Sequence, residues 1–285
     1  MTLGSPHLSI DVDPLGAQLS ALRDAAGRDL LWGGDPRVWA GRAPLLFPIV
    51  GTLVGGSYRL GTQRYALPRH GFARVSPFSV VEATQTSALF KLAASAATLA
   101  VYPFKFELEM RFTIEGTRLA MTATVRNTGA DELPASLGFH PGFRWPLPGN
   151  GRREAHYIEF EAEEPDPIRR IGAGGLLQPA AFATPVAARR LSLGDALFAE
   201  DVVILDRLRS RSLTYGSESG ARIGIHFPDA THLGIWTKPG AQFVCIEPWR
   251  GVTDPEGFAD DFRRKPGAFI VKPGDTQSLQ MLITL

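Results

Sequence analysis

A glutamate beside an apolar stretch is the residue of this sequence whose chemistry needs most explanation. Glu247 follows the apolar segment 243–246, which predicts a strand with two apolar faces. Pro248 is expected to end this strand, and Trp249 supplies a broad aromatic surface next to the carboxyl group. A carboxylate beside apolar surface loses hydration, so it must be paired, neutral or used in chemistry. Glu247 is therefore the centre of a candidate site; the alternative is a strand-end glutamate in solvent.

Two histidines among glycine and aromatic residues are further candidates for polar chemistry. In strand alternation His140 shares a face with Gly138, whose missing side chain leaves room for a ligand. His70 is flanked by Arg69 and Arg74, so this segment offers several hydrogen-bond donors. The alternatives are a structural strand histidine at 140 and a surface turn around position 70.

Motifs of metal, nucleotide and nucleophilic catalysis are absent or incomplete. The chain has no HExxH, no paired CxxC and no P-loop, and the segment 216–220 has glutamate where a nucleophile elbow needs serine. Cys245 is the only cysteine, so it cannot form an internal disulfide, and its apolar surroundings predict a small buried residue. His226 and His232 are expected to be structural. Metal and nucleotide chemistry are therefore disfavoured, and no metal site is predicted.

Short β-strands are the elements that must position these residues. The 30 glycines and 22 prolines are spread along all 285 residues, which is typical of many short strands. Apolar and polar residues alternate over 106–114 and 119–126, which predicts an antiparallel hairpin with one wet face. Further strands are predicted at 202–205, 213–215, 221–227, 233–236, 243–247 and 279–285, with a strand pair over 58–65.

The spacing of these strands predicts an all-β protein built as a large antiparallel β-sandwich. Residues 44–54 are apolar but interrupted by proline and glycine, which indicates a loop pressed against the core. Residues 150–200 have weak periodicity and predict only short strands and loops. Because no linker or repeat divides the chain, we expect one domain over residues 1–285.

Charge and hydropathy exclude several classes of partner. Lysine and arginine total 30 against 29 acidic residues, a formal net charge of +1, and no basic stripe stands out. Nucleic acid and anionic membrane are therefore disfavoured as partners. There is no leader-like N-terminus and no run of 18 apolar residues, so a cytoplasmic protein is expected.

Three stretches carry the candidate residues in order along the chain: Phe47–Gly51 with Leu67–Arg74, Gly138–Pro141, and Gly234–Trp236 through Phe243–Trp249 and Asp254. In the same order they resemble segments of the aldose 1-epimerase (galactose mutarotase) family, and most of all its LacX-like branch. The resemblance spans nearly the whole chain. It implies a β-supersandwich of the galactose mutarotase type, no cofactor, and interconversion of the anomers of a small-molecule sugar.

The resemblance also implies roles for individual residues. Glu247 matches the general base of the family and His140 its general acid. His70 matches a histidine that binds a substrate oxygen, and Asp201 matches a carboxylate that holds sugar hydroxyls. Thr52 stands where the family usually has arginine, so that contact is either lost or taken over by Arg42 or Arg74.

The residue types fit anomer interconversion independently of the resemblance. Opening a pyranose requires one group to take the proton of the C1 hydroxyl and another to deliver a proton to the ring oxygen. A glutamate beside Trp249 can have its pKa raised from about 4.3 toward the working pH, and histidine titrates near about 6.5. Trp236 and Trp249 are candidates to stack on the apolar face of a sugar, although buried tryptophan is more often structural.

Two other functions remain open from the sequence. A sugar-binding or sensor protein without catalysis fits the same fold, and Thr52 favours it. A hexose-6-phosphate 1-epimerase shares the motif His70–Arg74, and arginine is suited to phosphate. The near-balanced charge favours a neutral aldohexose. A lyase or hydrolase is disfavoured because no second carboxylate has a comparable setting.

Overall fold

The computed structural model describes residues 1–285 and consists mainly of antiparallel strands. Its one α-helix is α1 (Ala96–Val101), and short 3-10 turns lie at Val54–Gly56, Ala73–Val75, Arg153–Ala155, Ala173–Gly175, Asp195–Phe198 and Phe262–Arg264. The strands are β1 (Thr2–Gly4), β2 (Leu8–Asp13), β3 (Gln18–Asp24), β4 (Leu45–Leu46), β5 (Ser57–Leu60), β6 (Gln63–Ala66), β7 (Ser79–Ala83), β8 (Ser87–Ala93), β9 (Phe106–Glu115), β10 (Arg118–Asn127), β11 (Leu133–Ala135), β12 (Leu137–Phe139), β13 (Gly142–Arg144), β14 (His156–Phe160), β15 (Arg190–Ser192), β16 (Val203–Leu205), β17 (Ser212–Ser217), β18 (Arg222–His226), β19 (His232–Trp236), β20 (Phe243–Arg250), β21 (Phe269–Val271) and β22 (Thr276–Thr284).

A nine-stranded sheet forms one layer, in the order β15-β14-β17-β18-β22-β10-β9-β8-β7. Its centre is the predicted hairpin of β9 and β10, in register from Glu115 opposite Arg118 to Phe106 opposite Asn127. Alternate residues of both strands are buried, as the period of two predicts. This alternation fixes which face of the sheet packs on the core.

A six-stranded sheet carries the candidate site, in the order β16-β19-β20-β12-β4, with β13 also paired to β20. Residues from both sheets share one apolar core. For example, Phe143 of β13 packs on Tyr215 of β17, with ring centroids 6.2 Å apart. Val244 and Ile246 point from β20 into this core, so Glu247 and Trp249 lie on the opposite face of the strand.

Smaller sheets complete the fold: β1-β2-β3, β5-β6 and β11-β21. The predicted hairpin over 58–65 is confirmed as β5 and β6, and the 44–54 segment is mostly buried loop with only the two-residue β4. Residues 150–200 contain only β14, β15 and short turns, as expected. No helix in the structure is both long and apolar enough to span a membrane.

The prediction that Pro248 ends its strand is wrong, because β20 continues to Arg250. The N–H of Ile246 donates to the carbonyl of Pro141, on the side of the sheet where β12 and β13 are separated by His140 and Pro141. Backbone nitrogens alternate along a strand, so the nitrogen of Pro248 faces the same break. No ladder hydrogen bond is required there, and proline is tolerated inside a central strand.

The expected room for a ligand above Gly138 is also wrong, because the indole of Trp249 fills it. A Cβ on Gly138 would lie 2.7 Å from Trp249 Cδ1, and one on Gly234 would lie 2.4 Å from Trp249 Cη2. The two glycines flank the indole on neighbouring strands. They allow a large aromatic ring to lie flat on the sheet beside Glu247.

We expect Gly234→Ala to destabilise the protein by about 1–3 kcal/mol, because the added methyl group overlaps an indole already held on its other side. Gly224→Ala is the matched control, since a Cβ there meets its nearest atom at 3.7 Å in another strand. Urea unfolding of both variants measures the effect. Equal stability of the two variants would contradict the proposed packing.

Candidate active site

A cavity of about 280 Å³ opens on the face of the six-stranded sheet that points away from the core. Its volume is on the scale of a small-ligand site. The structure brings together all seven residues that the sequence nominated. The cavity is lined by Glu247, His140, His70, Arg74, Asp201, Trp236 and Trp249, with Trp39, Arg69, Gly175, Thr253 and others.

Glu247 and His140 are in direct contact inside this cavity. Glu247 Oε2 lies 3.1 Å from His140 Nε2, although the two atoms lack the alignment of a hydrogen bond. Glu247 is 1% exposed and His140 is 8% exposed. Glu247 lies opposite Gly234 in the ladder, and His140 occupies the break between β12 and β13. The break turns a histidine toward a carboxyl group on the neighbouring strand.

Burial controls the protonation of this pair. It raises the pKa of Glu247 well above the ordinary value, the charge of Asp201 adds to the effect, and Arg69 and the Trp249 indole N–H oppose it. Burial also lowers the pKa of His140 to about 3, and the arginines of the cavity contribute. Burial therefore disfavours the charged form of each group, the carboxylate of Glu247 and the imidazolium of His140.

Aromatic rings enclose the imidazole of His140. Trp39 stacks on it with ring centroids 5.1 Å apart, and Trp236 meets it edge-on at 5.9 Å. Both indoles also pack on Phe243. Sequence reasoning missed Trp39, because it lies in a loop without strand periodicity after the Gly-Gly-Asp-Pro turn. Its aromatic side chain was the only signal in the sequence.

His70 is held by backbone geometry rather than by a strand. It has a φ of 66°, followed by Gly71 at 71°, where a Cβ would lie 2.2 Å from the carbonyl oxygen of Phe47. The N–H of Gly51 donates to His70 Nδ1 at 3.1 Å. Burial lowers the pKa of His70 well below its usual value, and the nearby His140 and arginines add to this. The ring is therefore neutral and its orientation is fixed.

Two guanidinium groups line the cavity without a carboxylate partner. Neither Arg69 nor Arg74 forms an ion pair, and Arg69 Nε lies 3.2 Å from His70 Nε2. Burial lowers the pKa of Arg74, and the charge of Arg69 contributes. The hypothesis that Arg42 reaches the site is wrong, because it donates to the carbonyl of Ser20 and lines a different depression.

The loop segments around Thr52 are joined by a buried polar network. The Thr253 hydroxyl accepts the N–H of Thr52 and donates to the carbonyl of Gly175 at 2.6 Å. Asp254 accepts the N–H of Val54 and is paired with Lys265, and both of these side chains are almost fully buried. The network holds the chain that presents the Gly51 N–H to His70.

Asp201 lies at the rim of the cavity in a left-handed conformation, with a φ of 63°. Its carboxylate accepts the N–H of Val202 at 2.7 Å, and Arg170 holds its carbonyl at 2.8 Å. The exposed carboxylate keeps free acceptor capacity toward the cavity.

The family profile described as aldose 1-epimerase matches residues 1–281. The chain belongs to the aldose 1-epimerase family. The chromosomal protein LacX of Lactococcus lactis subsp. lactis is 31% identical to it, covering 99% of this chain and 98% of that protein.

Two solved structures support the same membership. A galactose mutarotase related enzyme of Lactobacillus acidophilus is 28% identical, with a TM-score of 0.92 over 100% of this chain and 96% of that one. A galactose mutarotase-like protein of Lactobacillus casei ATCC 334 is also 28% identical, with a TM-score of 0.92 over 100% of this chain and 99% of that one. The predicted all-β sandwich of galactose mutarotase type is confirmed.

Three side chains at the site, one each of histidine, cysteine and glutamate, have the residue types of a metal site. The ligand atoms of His140, Cys245 and Glu247 lie within 4.8 Å of one another. However, burial raises the pKa of the Cys245 thiol well above its usual value, with the charge of Glu247 adding to the effect. A thiol must lose its proton to bind a metal, so this arrangement opposes ligation.

The raised pKa of Glu247 has a consequence for stability. In the unfolded chain its carboxyl ionises near about pH 4.3, whereas the folded protein keeps it protonated to higher pH. Folding takes up a proton between these limits, so the group contributes most below about pH 4.3 and its contribution is lost as pH rises. Glutamine cannot ionise. We expect the Tm of Glu247→Gln to approach that of the wild type near about pH 4 and to exceed it progressively as the pH rises above that value.

Thermal unfolding across this pH range measures the difference. Glu132→Gln is the control, because Glu132 is exposed and lies outside the cavity. A difference in Tm that does not change with pH would contradict the burial cost of the Glu247 carboxylate.

Proposed function

We propose that the protein is a mutarotase that interconverts the α and β anomers of an aldohexose, with Glu247 as general base and His140 as general acid. The observation that carries this proposal is the buried contact of 3.1 Å between the two side chains in a cavity of small-ligand size. The names of the similar structures, which include galactose mutarotase, favour galactose as the first substrate to test, and glucose, which differs from it only at C4, as the second.

The close contact of base and acid suits the geometry of the reaction. The C1 hydroxyl and the ring oxygen are bonded to the same carbon, so the groups that serve them must be near neighbours. Glu247 takes the hydroxyl proton as the C1–ring oxygen bond breaks, and His140 gives a proton to the ring oxygen. Rotation about C1–C2 and the reverse transfers close the ring on the other face. The protons balance over the cycle, and no cofactor is required.

Proton transfer from Glu247 to His140 is the step that we propose to make both groups ready for the reaction. A carboxylic acid beside a neutral imidazole is a tautomer of a carboxylate beside an imidazolium, so one proton serves both arrangements. Moving it from Glu247 to His140 creates the base and the acid together. Burial disfavours this ion pair, and Arg69 and the Trp249 N–H favour the carboxylate. Hydroxyl groups of a bound sugar would add hydrogen bonds to it.

The remaining residues of the cavity are proposed to bind the sugar. His70, Arg74 and Asp201 supply donors and acceptors for hydroxyl groups. Trp236 is half-buried at the cavity wall and offers its ring to the apolar face of a pyranose. Trp249 lies beneath Glu247, so its proposed part is to shape the floor and to present its N–H to the carboxylate.

A second candidate is a hexose-6-phosphate 1-epimerase. The observation that favours it is the presence of Arg69 and Arg74 in the cavity without carboxylate partners. Guanidinium groups bind phosphate oxygens well. The exposed carboxylate of Asp201 and the near-neutral charge of the chain oppose it, so we retain a neutral aldohexose as the first proposal.

We expect Glu247→Gln and His140→Asn each to lower the anomerisation rate about 10²–10⁴-fold, because each removes one proton-transfer partner. Glu132→Gln and His7→Asn are matched controls at exposed positions outside the cavity. Polarimetry of freshly dissolved α-glucose and α-galactose measures the rate. Folded site variants that turn over like wild type would remove both roles. A wild-type protein that binds sugar without exceeding the buffer rate would indicate the sensor function.

Substrate charge is decided by comparing kcat/KM for glucose and glucose 6-phosphate at two salt concentrations. We expect glucose to be preferred or the two to be similar, with little dependence on salt. A hundredfold preference for the phosphate that is lost in Arg74→Ala would establish the second candidate, since it equals about 2.7 kcal/mol of charge-assisted binding.

A further inference from the structure

The tautomer of His70 is fixed by a backbone group that cannot rotate away. The Gly51 N–H donates to Nδ1 inside the protein, so Nδ1 must carry the lone pair. Burial keeps the ring neutral, and its single proton therefore lies on Nε2. His70 Nε2–H is a donor that faces the cavity.

A second donor points at the same place. The Arg69 Nε–H is directed at His70 Nε2 in hydrogen-bond geometry at 3.2 Å, yet a neutral imidazole cannot accept at both nitrogens and Nδ1 already accepts from Gly51. With Nε2 protonated, two N–H groups converge without an acceptor between them. The contact with His70 is then unfavourable for both groups, and an oxygen placed between the two donors would relieve it.

The neighbourhood of Arg69 leaves this guanidinium available. It has no carboxylate partner, and the residues beside it have short side chains. Gly175 lies close to both Thr52 and Arg69, since a Cβ built on it would lie 2.9 Å from Thr52 Oγ1 and 3.8 Å from Arg69 Nη1. The hydroxyl of Thr253 holds the carbonyl of Gly175, which keeps this loop close to Thr52. Arg69 is exposed and lines the cavity, so its guanidinium is accessible to a ligand.

We propose that Arg69 Nε and His70 Nε2 form a paired-donor site for one oxygen of the substrate, and that Arg69 is a specificity-determining residue. The proposal rests on the proposed sugar ligand. The oxygen must act as an acceptor from both N–H groups, as a hydroxyl, ring or phosphate oxygen can. This assigns Arg69, rather than Arg42 or Arg74, as the guanidinium that works with His70.

Binding of modified sugars to the Glu247→Gln protein tests the pairing without turnover. Dissociation constants are measured by calorimetry for glucose, its 1,5-anhydro, 2-, 3-, 4- and 6-deoxy analogues, the corresponding deoxyfluoro sugars and glucose 6-phosphate. Each dissociation constant is also measured for the double variant that combines Glu247→Gln with Arg69→Met. The control is the double variant with Arg64→Met, because Arg64 is exposed and lies outside the cavity.

At one position of the sugar we expect the deoxy analogue to bind at least about tenfold more weakly than glucose. The deoxyfluoro analogue at that position should have an intermediate affinity, because fluorine accepts hydrogen bonds weakly and hydrogen does not accept them. This penalty should shrink several-fold in Arg69→Met and remain in Arg64→Met. Glucose 6-phosphate could instead bind more tightly than glucose, with Arg69→Met reducing that difference. In that case the shared oxygen belongs to the phosphate group. An Arg69→Met protein that weakens every ligand by one common factor, or none, overturns the proposal.

Nitrogen NMR of the histidines is an independent test that does not use sugar. Near neutral pH His70 should have an unprotonated Nδ1 and a protonated Nε2, with the exposed His7 as reference. A proton on His70 Nδ1 would overturn the paired-donor arrangement. Failure of the wild type to accelerate anomerisation would instead overturn the proposed function, and the binding comparison would still decide the role of Arg69.

Discussion

The burial of one carboxyl group against one imidazole is the constraint on which the rest of this site depends. Burial raises the pKa of Glu247 and lowers that of His140, so an isolated charge on either group carries a desolvation cost there. An exposed pair at the same distance would not meet this cost. The surrounding aromatic rings therefore matter electrostatically as well as sterically, because they exclude the solvent that would stabilise separated charges.

The sheet accommodates this pair through local departures from regular strand structure. The break between β12 and β13 releases His140 from the ladder and turns it toward Glu247. The same break faces the nitrogen of Pro248, so a proline can follow the glutamate inside a continuous strand. Gly138 and Gly234 have no side chains, which leaves space for the Trp249 indole. Each irregularity would weaken an ordinary sheet, and here together they bring Glu247, His140 and Trp249 into one cavity.

Much of this arrangement follows from the sequence, and the remainder has physical reasons. The alternation over 106–126 determines strand pairing because one face must be buried. The segment before Glu247 has apolar residues on both faces because both faces of β20 are buried. The extent of β20 could not be predicted, because whether proline is tolerated depends on what faces its nitrogen. Trp39 escaped prediction because loop residues carry no periodic signal. The sequence shows only that Arg42 is close to the 44–54 segment along the chain. Where its side chain lies depends on long-range packing.

The loops around the sheet contribute the fixed part of the site, and the side chains contribute the adjustable part. The pairing of Lys265 with Asp254 is buried, so breaking it would leave a charge without a partner, and this holds the segment of Thr52 and Val54 in place. That segment presents the Gly51 N–H, which in turn fixes the proton of His70. Arg69, in contrast, is exposed and has no carboxylate partner, so no ion pair holds its guanidinium in place. Of the two proposed donors to one oxygen, the backbone therefore fixes only the histidine, and the arginine must be ordered by the ligand itself.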